Sequence, residues 1–218
     1  MPTIRKFPLV TGEIYHVFNK SIAGFRIFNN DTEFIRMKEA VSYYQWGMRN
    51  TRFSRWKDTK NKDAFERNIK EDKLVDIIAY CIMPTHFHLI LKQLKDKGIS
   101  VFMSQISNSY TRYFNLKHKR KGPLWEREFQ NVLVSTDEQF LHLTRYIHLN
   151  PVTAFLADKP EDWPVSSYKE FLGEVEENKR ICSFEELLDI KPDLYKTFVD
   201  DRISYQRDLG KIKHLILE

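Results

Sequence analysis

The sequence predicts an α+β protein, a ferredoxin-like antiparallel sheet with helices packed on one face, in the order β-α-β-β-α-β-α. Two observations predict this class: β-forming runs alternate with helical periodicities in that order, and the longer apolar runs have strand length. With 218 residues, 42% of them hydrophobic, the chain can bury a substantial core. We place the core at residues 1–157 and an acidic, mostly helical extension at residues 158–218.

The first half of the predicted core reads β-α-β-β. GEIYHVFNK (Gly12 to Lys20) is rich in β-formers. A helix should follow Asn29-Asn30-Asp31, because apolar residues recur there at helical spacing: Phe34, Met37, Ala40, Val41 and Tyr44. Residues 49–72 are polar and predict a loop or an extension of that helix. KLVDIIAYCIM and HFHLILKQ then predict two strands, with a turn at Pro84-Thr85.

The second half reads α-β-α. A helical run follows Gly98 and its basic tail stops at Gly122-Pro123. EREFQNVLV (Glu126 to Val134) alternates enough to predict the fourth strand. Ser135 to Glu138 form a capping-box pattern that should open the next helix, and Pro151 should limit its continuation.

Positive charge is concentrated in the core. Residues 1–157 hold 25 Lys or Arg and 15 Asp or Glu, whereas residues 158–218 hold 10 and 15. Arg49 to Lys62 and Arg112 to Arg127 contain much of the excess, interleaved with aromatic residues: Trp56, Tyr113, Phe114 and Trp125. Such a pattern suits a nucleic-acid backbone and stacked bases, although a solvated lysine-rich face would give the same charges.

Several classes of protein are disfavoured. No apolar run approaches the length of a membrane span, and the N-terminal residues lack the apolar stretch of a secretory signal. Cys81 and Cys182 are too few for a disulfide framework or a cysteine-built zinc site. We therefore expect a cytoplasmic protein without a membrane partner.

Two histidines stand one residue apart in the predicted third strand. His86 and His88 should point to one face, about 7 Å apart, while Phe87, Leu89 and Leu91 face the core. Imidazole is a common metal ligand, but the pair could also lie on a solvated sheet face. A third ligand is needed to favour a metal site.

The last core helix offers candidates for that ligand and for a nucleophile. Tyr146 and Asn150 are four residues apart and share a helical face. Asn150 has a carbonyl oxygen that a divalent cation accepts, and Tyr146 would lie one turn away from the cation. His142 lies one further turn back and is a candidate general base. The simpler interpretation is an amphipathic tyrosine and a helix-terminating asparagine.

At this point several segments resemble one family. MPTHFHLIL resembles the His-hydrophobic-His ("HUH") strand of single-tyrosine transposases, and YIHLNPV resembles the tyrosine-bearing helix of their REP-associated branch. Other segments resemble that branch in the expected order: YHVFNKSIAGFRIF, SYTRYFNLKHKRKGPLWEREF and WPVSSY. The resemblance covers roughly residues 8–172.

The resemblance implies a metal-dependent single-stranded DNA endonuclease and transposase that acts near REP-like hairpins through a 5′-phosphotyrosine. Tyr146 would be the nucleophile, and His86, His88 and Asn150 would hold Mg²⁺ or Mn²⁺. Better-known relatives use glutamine where this chain has Asn150. The enzyme would be a monomer or a homodimer.

The basic clusters supply candidate DNA contacts: Arg112, Lys117, Lys119, Arg120, Lys121, Arg52 and Arg55. Three other functions stay open. They are a domesticated, non-catalytic hairpin-binding protein, a replication initiator or relaxase, and a metal-dependent phosphodiesterase that uses water.

Overall fold

The computed structural model describes residues 8–47, 53–58 and 73–216, with only the backbone for 57–58 and 212–216. Four strands form the sheet: β1 (Ile14–Lys20), β2 (Val75–Met83), β3 (His86–Gln93) and β4 (Gln130–Val134). The described α-helices are α1 (Asp31–Tyr44), α2 (Phe53–Asp58), α3 (Gly98–Lys117), α4 (Asp137–Thr153), α5 (Tyr168–Phe171), α6 (Pro192–Asp200) and α7 (Ile203–Ile216).

The sheet has the strand order β2-β3-β1-β4, and every neighbouring pair is antiparallel. This confirms the predicted ferredoxin-like class. The fourth strand is shorter than the predicted Glu126–Val134, because residues 124–126 take a different path. There the backbone of Trp125 bridges Ser21, and the Glu126 amide donates to the Lys20 carbonyl at 3.0 Å, beyond the end of β1.

Helices cover both faces of this sheet. The crossover helices α1 and α3 pack on one face, against β-strand side chains such as Val17 and Phe87. Helix α4 packs on the opposite face with residues of the C-terminal region, against side chains such as Ile78 and Ile90. The expectation of helices on one face therefore holds for the two crossover helices, and α4 adds a third layer.

The C-terminal region joins this third layer through buried polar contacts. His148 of α4 hydrogen-bonds through Nδ1 to the Tyr195 hydroxyl at 2.7 Å and through Nε2 to the Ser167 hydroxyl at 2.8 Å. The buried Glu170 carboxylate accepts from the Tyr80 hydroxyl and from the backbone amides of Ile181 and Cys182. Residues on both sides of the predicted 157/158 division also belong to the apolar cluster under α4.

Helix α4 runs further than its proline predicts. Thr136 caps its N-terminus by accepting from the Gln139 amide at 3.1 Å. Pro151 was expected to limit the helix, but the helix continues to Thr153, with the ring of Pro151 buried. Proline has no amide to donate to the Ile147 carbonyl, so α4 loses one helical hydrogen bond there. Burial of Leu149, Pro151 and Val152 holds the last turn in place. The Ala154 amide still donates to the Asn150 carbonyl at 3.0 Å.

Cys81 and Cys182 are both buried, and neither takes part in a disulfide. Among the helices that the structure describes, none combines the length and the apolar composition needed to cross a membrane.

A buried carboxylate ties the two crossover helices together. Glu33, in the first turn of α1, has a fully buried side chain that pairs with Lys117 at 2.8 Å and His118 at 2.7 Å, at the end of α3. The Asn29 amide also donates to it at 2.8 Å. Burial alone would raise the pKa of Glu33, but these hydrogen bonds outweigh it and lower the pKa to about 2.

We expect Glu33→Gln to lower the free energy of unfolding at pH 7 by about 2 kcal/mol, because charge-assisted hydrogen bonds are lost. The folded-state pKa lies below the ordinary value of 4.5, so the stabilisation by the charge is present above pH 4.5. It is lost as the pH falls through about 2. Urea unfolding of the wild type and of Glu33→Gln between pH 7 and pH 3 should show the difference between their free energies of unfolding becoming smaller as the pH falls.

Glu185→Gln is the matched control, because Glu185 pairs with Arg180 on the surface with its side chain 57% exposed. It should change stability by less than about 0.5 kcal/mol. A Glu33→Gln protein as stable as the control would contradict the anchoring role.

Candidate active site

The two histidines of β3 lie on the face that α4 covers. Phe87, Leu89 and Leu91 belong to the apolar cluster under α1 and α3, whereas Ile90 belongs to the cluster under α4. Since alternate residues of a strand share a face, His86 and His88 point toward α4 with Ile90. Their rings are 5.1 Å apart and perpendicular.

His88 is buried and His86 is half-buried. His88 is only 6% exposed, which excludes the solvated-face alternative for this residue. Burial lowers the pKa of His86 to about 4, with a further contribution from Lys20. Burial, then the neighbouring His16, His86 and Lys20, holds the pKa of His88 well below its usual value. Both rings are therefore neutral at pH 7, the form that binds metals.

Helix α4 brings the candidate nucleophile to this pair. The ring centroid of Tyr146 lies 5.7 Å from that of His88 in an edge-on arrangement, and the side chain is 40% exposed. Asn150 lies one turn along the same helical face, and its Nδ2 donates to the Tyr146 carbonyl at 3.2 Å. The phenol thus contacts the histidine face and remains open to solvent.

The hydrogen bonds of these side chains leave some of their atoms available to a ligand. His86 Nδ1 is bonded to the Thr85 hydroxyl at 2.9 Å, and His88 Nδ1 to His16 Nε2 at 2.9 Å. Three atoms have no hydrogen-bond partner within the described part of the chain: the Nε2 atoms of His86 and His88, and the Oδ1 atom of Asn150. Each of the three predicted ligands therefore keeps one donor atom free. This donor set fits a divalent cation.

Carboxylates are not part of this arrangement. Across residues 8–47, 53–58 and 73–216, no group of three or more His, Cys, Asp or Glu side chains is placed to hold a metal ion. A cation bound by His86 and His88 would therefore need Asn150 or a substrate oxygen to complete its coordination.

The sequence missed two residues of this site. His16 of β1 hydrogen-bonds to His88, and burial lowers the pKa of His16 to about 4. Lys20, at the end of the same strand, is paired directly opposite His86. The strand alternation indicates that His16, Phe18 and Lys20 share one face of β1. It does not indicate the register with β3, which places them beside His86 and His88.

The candidate general base is directed elsewhere. His142 Nδ1 accepts from Arg145 at 2.7 Å, and the His142 ring packs against Phe198 of α6. The imidazoles whose rings contact Tyr146 are instead those of His88 and His16, with His16 at a centroid distance of 6.3 Å.

Two of the predicted DNA contacts have partners within the protein. Lys117 forms the ion pair with Glu33, which argues against a free phosphate contact there. Arg120 donates to the Asn115 side chain at 3.0 Å and to the Pro123 carbonyl at 2.7 Å, so it braces the turn after α3.

The remaining predicted contacts are mainly on the surface. Arg112, Lys119 and Lys121 are exposed on α3 and the loop that follows it, and Arg55 is exposed on α2. Arg52 lies outside the described residues. Because Ser21 and Lys20 pair with Trp125 and Glu126, the loop that carries Lys119 and Lys121 is joined to the end of β1 opposite His86.

The aromatic residues between these cations mostly belong to the core. Trp56 is 2% exposed and Phe114 is 1% exposed, so the expectation that they stack on bases is wrong. Tyr113 and Trp125 are half-buried and pack against the same cluster. These aromatic side chains therefore serve the packing of the core, although the cations around them suggested contacts with DNA bases.

Comparison with known proteins agrees with this arrangement. Residues 45–150 match the sequence model of a family described as "Transposase IS200 like". A putative REP-associated tyrosine transposase of Haemophilus influenzae is 26% identical over 103 residues, 43% of this chain and 58% of that protein. The REP-associated tyrosine transposase of Escherichia coli is 27% identical over 101 residues, 46% of this chain and 58% of that protein. The resemblance to REP-associated tyrosine transposases is confirmed.

The fold is also similar to a solved structure. A REP-associated tyrosine transposase bound to a REP hairpin aligns with a TM-score of 0.53 at 16% identity, over 79% of this chain and 86% of the other. At that identity the match supports the fold alone. The chain matches 58% of the length of the two curated REP-associated transposases.

Proposed function

We propose that this chain is a metal-dependent transposase that cleaves and rejoins single-stranded DNA beside REP-like hairpins, through a 5′-phosphotyrosine intermediate. The observation that carries the proposal is the contact of the half-exposed Tyr146 ring with His88, which lies beside His86 on one sheet face. Both imidazoles are neutral and each keeps one ring nitrogen free.

Tyr146 supplies the covalent chemistry. Its hydroxyl oxygen attacks the phosphorus of a DNA phosphodiester, and the bond from phosphorus to the 3′ oxygen breaks. The phenolic proton is given up and the released strand takes a proton as a 3′-OH. A later 3′-OH attacks the phosphotyrosine, restores the phenol and joins two strands. Because the energy of the phosphodiester is kept, no nucleotide cofactor is needed.

His86, His88 and Asn150 are the residues that would hold Mg²⁺ or Mn²⁺. A bound divalent cation supplies stabilisation of negative charge on phosphoryl oxygens. Two imidazoles favour Mn²⁺ over Mg²⁺, which prefers oxygen ligands. Lys20, opposite His86, adds positive charge at the same end of the sheet.

Hairpin DNA is the substrate that the surface suits. Arg112, Lys119 and Lys121 are exposed on one helix and its loop, and the loop is joined to the end of β1 that faces His86. The fold neighbour is itself bound to a REP hairpin. Phosphate contacts on this loop would lead a strand from a bound hairpin toward Tyr146.

The covalent step predicts a trapped adduct. With Mn²⁺ and a labelled hairpin bearing a single-stranded flank, wild-type protein should form an SDS-resistant protein–DNA adduct, and Tyr146→Phe should form none. Tyr205→Phe is the matched control, because Tyr205 is also an exposed tyrosine and lies on α7. Cleavage without an adduct would instead support a water-using phosphodiesterase, and binding alone a domesticated binding protein.

The metal site predicts a separate loss. His88→Ala should weaken Mn²⁺ binding, measured by calorimetry, by at least about 100-fold, because one of two imidazole ligands is removed. The affinity of His88→Ala for the hairpin in EDTA should stay within about threefold of wild type, because a neutral imidazole forms no ion pair with phosphate. Unchanged Mn²⁺ affinity in His86→Ala and His88→Ala would refute the predicted ligands.

The basic loop predicts a change in salt dependence. Lys121→Ala and Lys119→Ala should each reduce the slope of log K against log[salt] for hairpin binding by about 1, because one phosphate contact is lost. Lys117→Met should instead lower the free energy of unfolding by about 1 kcal/mol, since Glu33 loses a charged partner. Titrations at four salt concentrations, with urea unfolding of each variant, separate the two roles. A salt slope altered by Lys117→Met alone would reverse the assignment.

A further inference from the structure

A third imidazole is hydrogen-bonded to one of the predicted metal ligands. His16 Nε2 lies 2.9 Å from His88 Nδ1, and the two rings stack with centroids 5.1 Å apart at 23°. The residues are 72 positions apart in sequence. They meet because Phe18 is paired with His88 and His16 with Ile90, so the imidazoles are diagonal neighbours on one sheet face.

The hydrogen bond between two neutral imidazoles can have only one donor. A metal-binding His88 needs the lone pair of Nε2, so its proton must sit on Nδ1. His16 Nε2 is then the acceptor, and the proton of His16 is on Nδ1. Such an outer partner fixes the tautomer and the ring orientation of a metal ligand.

Other roles for His16 fit less well. A proton acceptor for Tyr146 needs a free ring nitrogen, but the nitrogen of His16 that faces the site is already hydrogen-bonded to His88. If His16 were a third imidazole ligand, His16, His86 and His88 would be close enough to bind one metal ion. No such group of three histidines occurs in the described ranges. Its contact with Tyr146 is edge-on, with centroids 6.3 Å apart.

We propose that His16 is a positioning residue, which accepts a hydrogen bond from His88 and thereby fixes His88 as an Nε2 metal ligand. The inference rests on the proposed function, because it assigns His16 a task only if His88 binds a cation. It predicts that the protein orients His88 before any metal or DNA arrives.

Two substitutions test this role by metal binding. His16→Phe keeps an aromatic ring and removes the acceptor, and it should weaken Mn²⁺ binding, measured by calorimetry, by about 10- to 100-fold. His16→Gln keeps an acceptor and should recover most of this loss. Phe18→Leu is the packing control, because the Phe18 ring contacts both imidazoles without a hydrogen bond. It should leave Mn²⁺ affinity within about threefold of wild type.

A second readout needs no metal. Long-range nitrogen–proton correlation spectra of the metal-free wild-type protein at pH 7.5 should show His88 protonated on Nδ1. In His16→Phe the Nε2-protonated tautomer should appear. Wild-type spectra with the proton on Nε2 would overturn the proposal, even if His16→Phe failed to fold.

The outcomes distinguish this inference from the proposed function. Full Mn²⁺ affinity in His16→Phe, together with a large loss in His88→Ala, would overturn the role of His16 and leave the metal site intact. Full affinity in both variants would overturn the metal site and with it the proposed chemistry. Weak binding in His16→Phe with rescue in His16→Gln would support the positioning role.

Discussion

The antiparallel register between β1 and β3 is the constraint on which the site depends. It pairs Phe18 with His88 and Lys20 with His86, so one face of two strands carries three imidazoles and an ammonium group. A slip by one residue would turn the β1 side chains to the opposite face, where α1 and α3 pack. Val17 on β1 and Leu89 on β3 are paired and fully buried on that opposite face. A slip would expel Val17 from the core, so the burial of this pair opposes it.

Helix α4 converts this face into a partly closed site. Ile147, Leu149 and Val152 are fully buried against the sheet, which fixes the rotation of the helix about its axis. Tyr146 then lies at the margin of the contact, where its ring touches His88 and 40% of its surface remains open. The proposed nucleophile needs this position, because a fully buried phenol could not contact a DNA phosphate.

Local features of the fold and the site could be predicted from the sequence, whereas contacts across long separations could not. The alternation in HFHLILKQ predicted the face of His86 and His88, and the four-residue spacing placed Asn150 one turn from Tyr146. The bond between His16 and His88 depends on strand register, which no local pattern encodes. Lys117 was assigned to DNA by its basic neighbours, because its partner Glu33 lies 84 positions earlier. Pro151 predicted an early end of α4, but the helix continues to Thr153. The packing that holds its last turn comes from residues distant in sequence, which no local pattern shows.

The hydrogen-bond partners of the buried histidines separate those that build the fold from those that are available to a ligand. His148 and His88 are both buried with lowered pKa values, so neither burial nor charge distinguishes them. His148 has a partner on each ring nitrogen, Tyr195 on Nδ1 and Ser167 on Nε2, and its donor and acceptor capacity is exhausted within the core. His86 and His88 each have a partner on Nδ1 alone. The Nε2 atoms of His86 and His88 both reach the protein surface, since neither is enclosed without a hydrogen-bond partner. They are therefore available to a ligand from outside the chain.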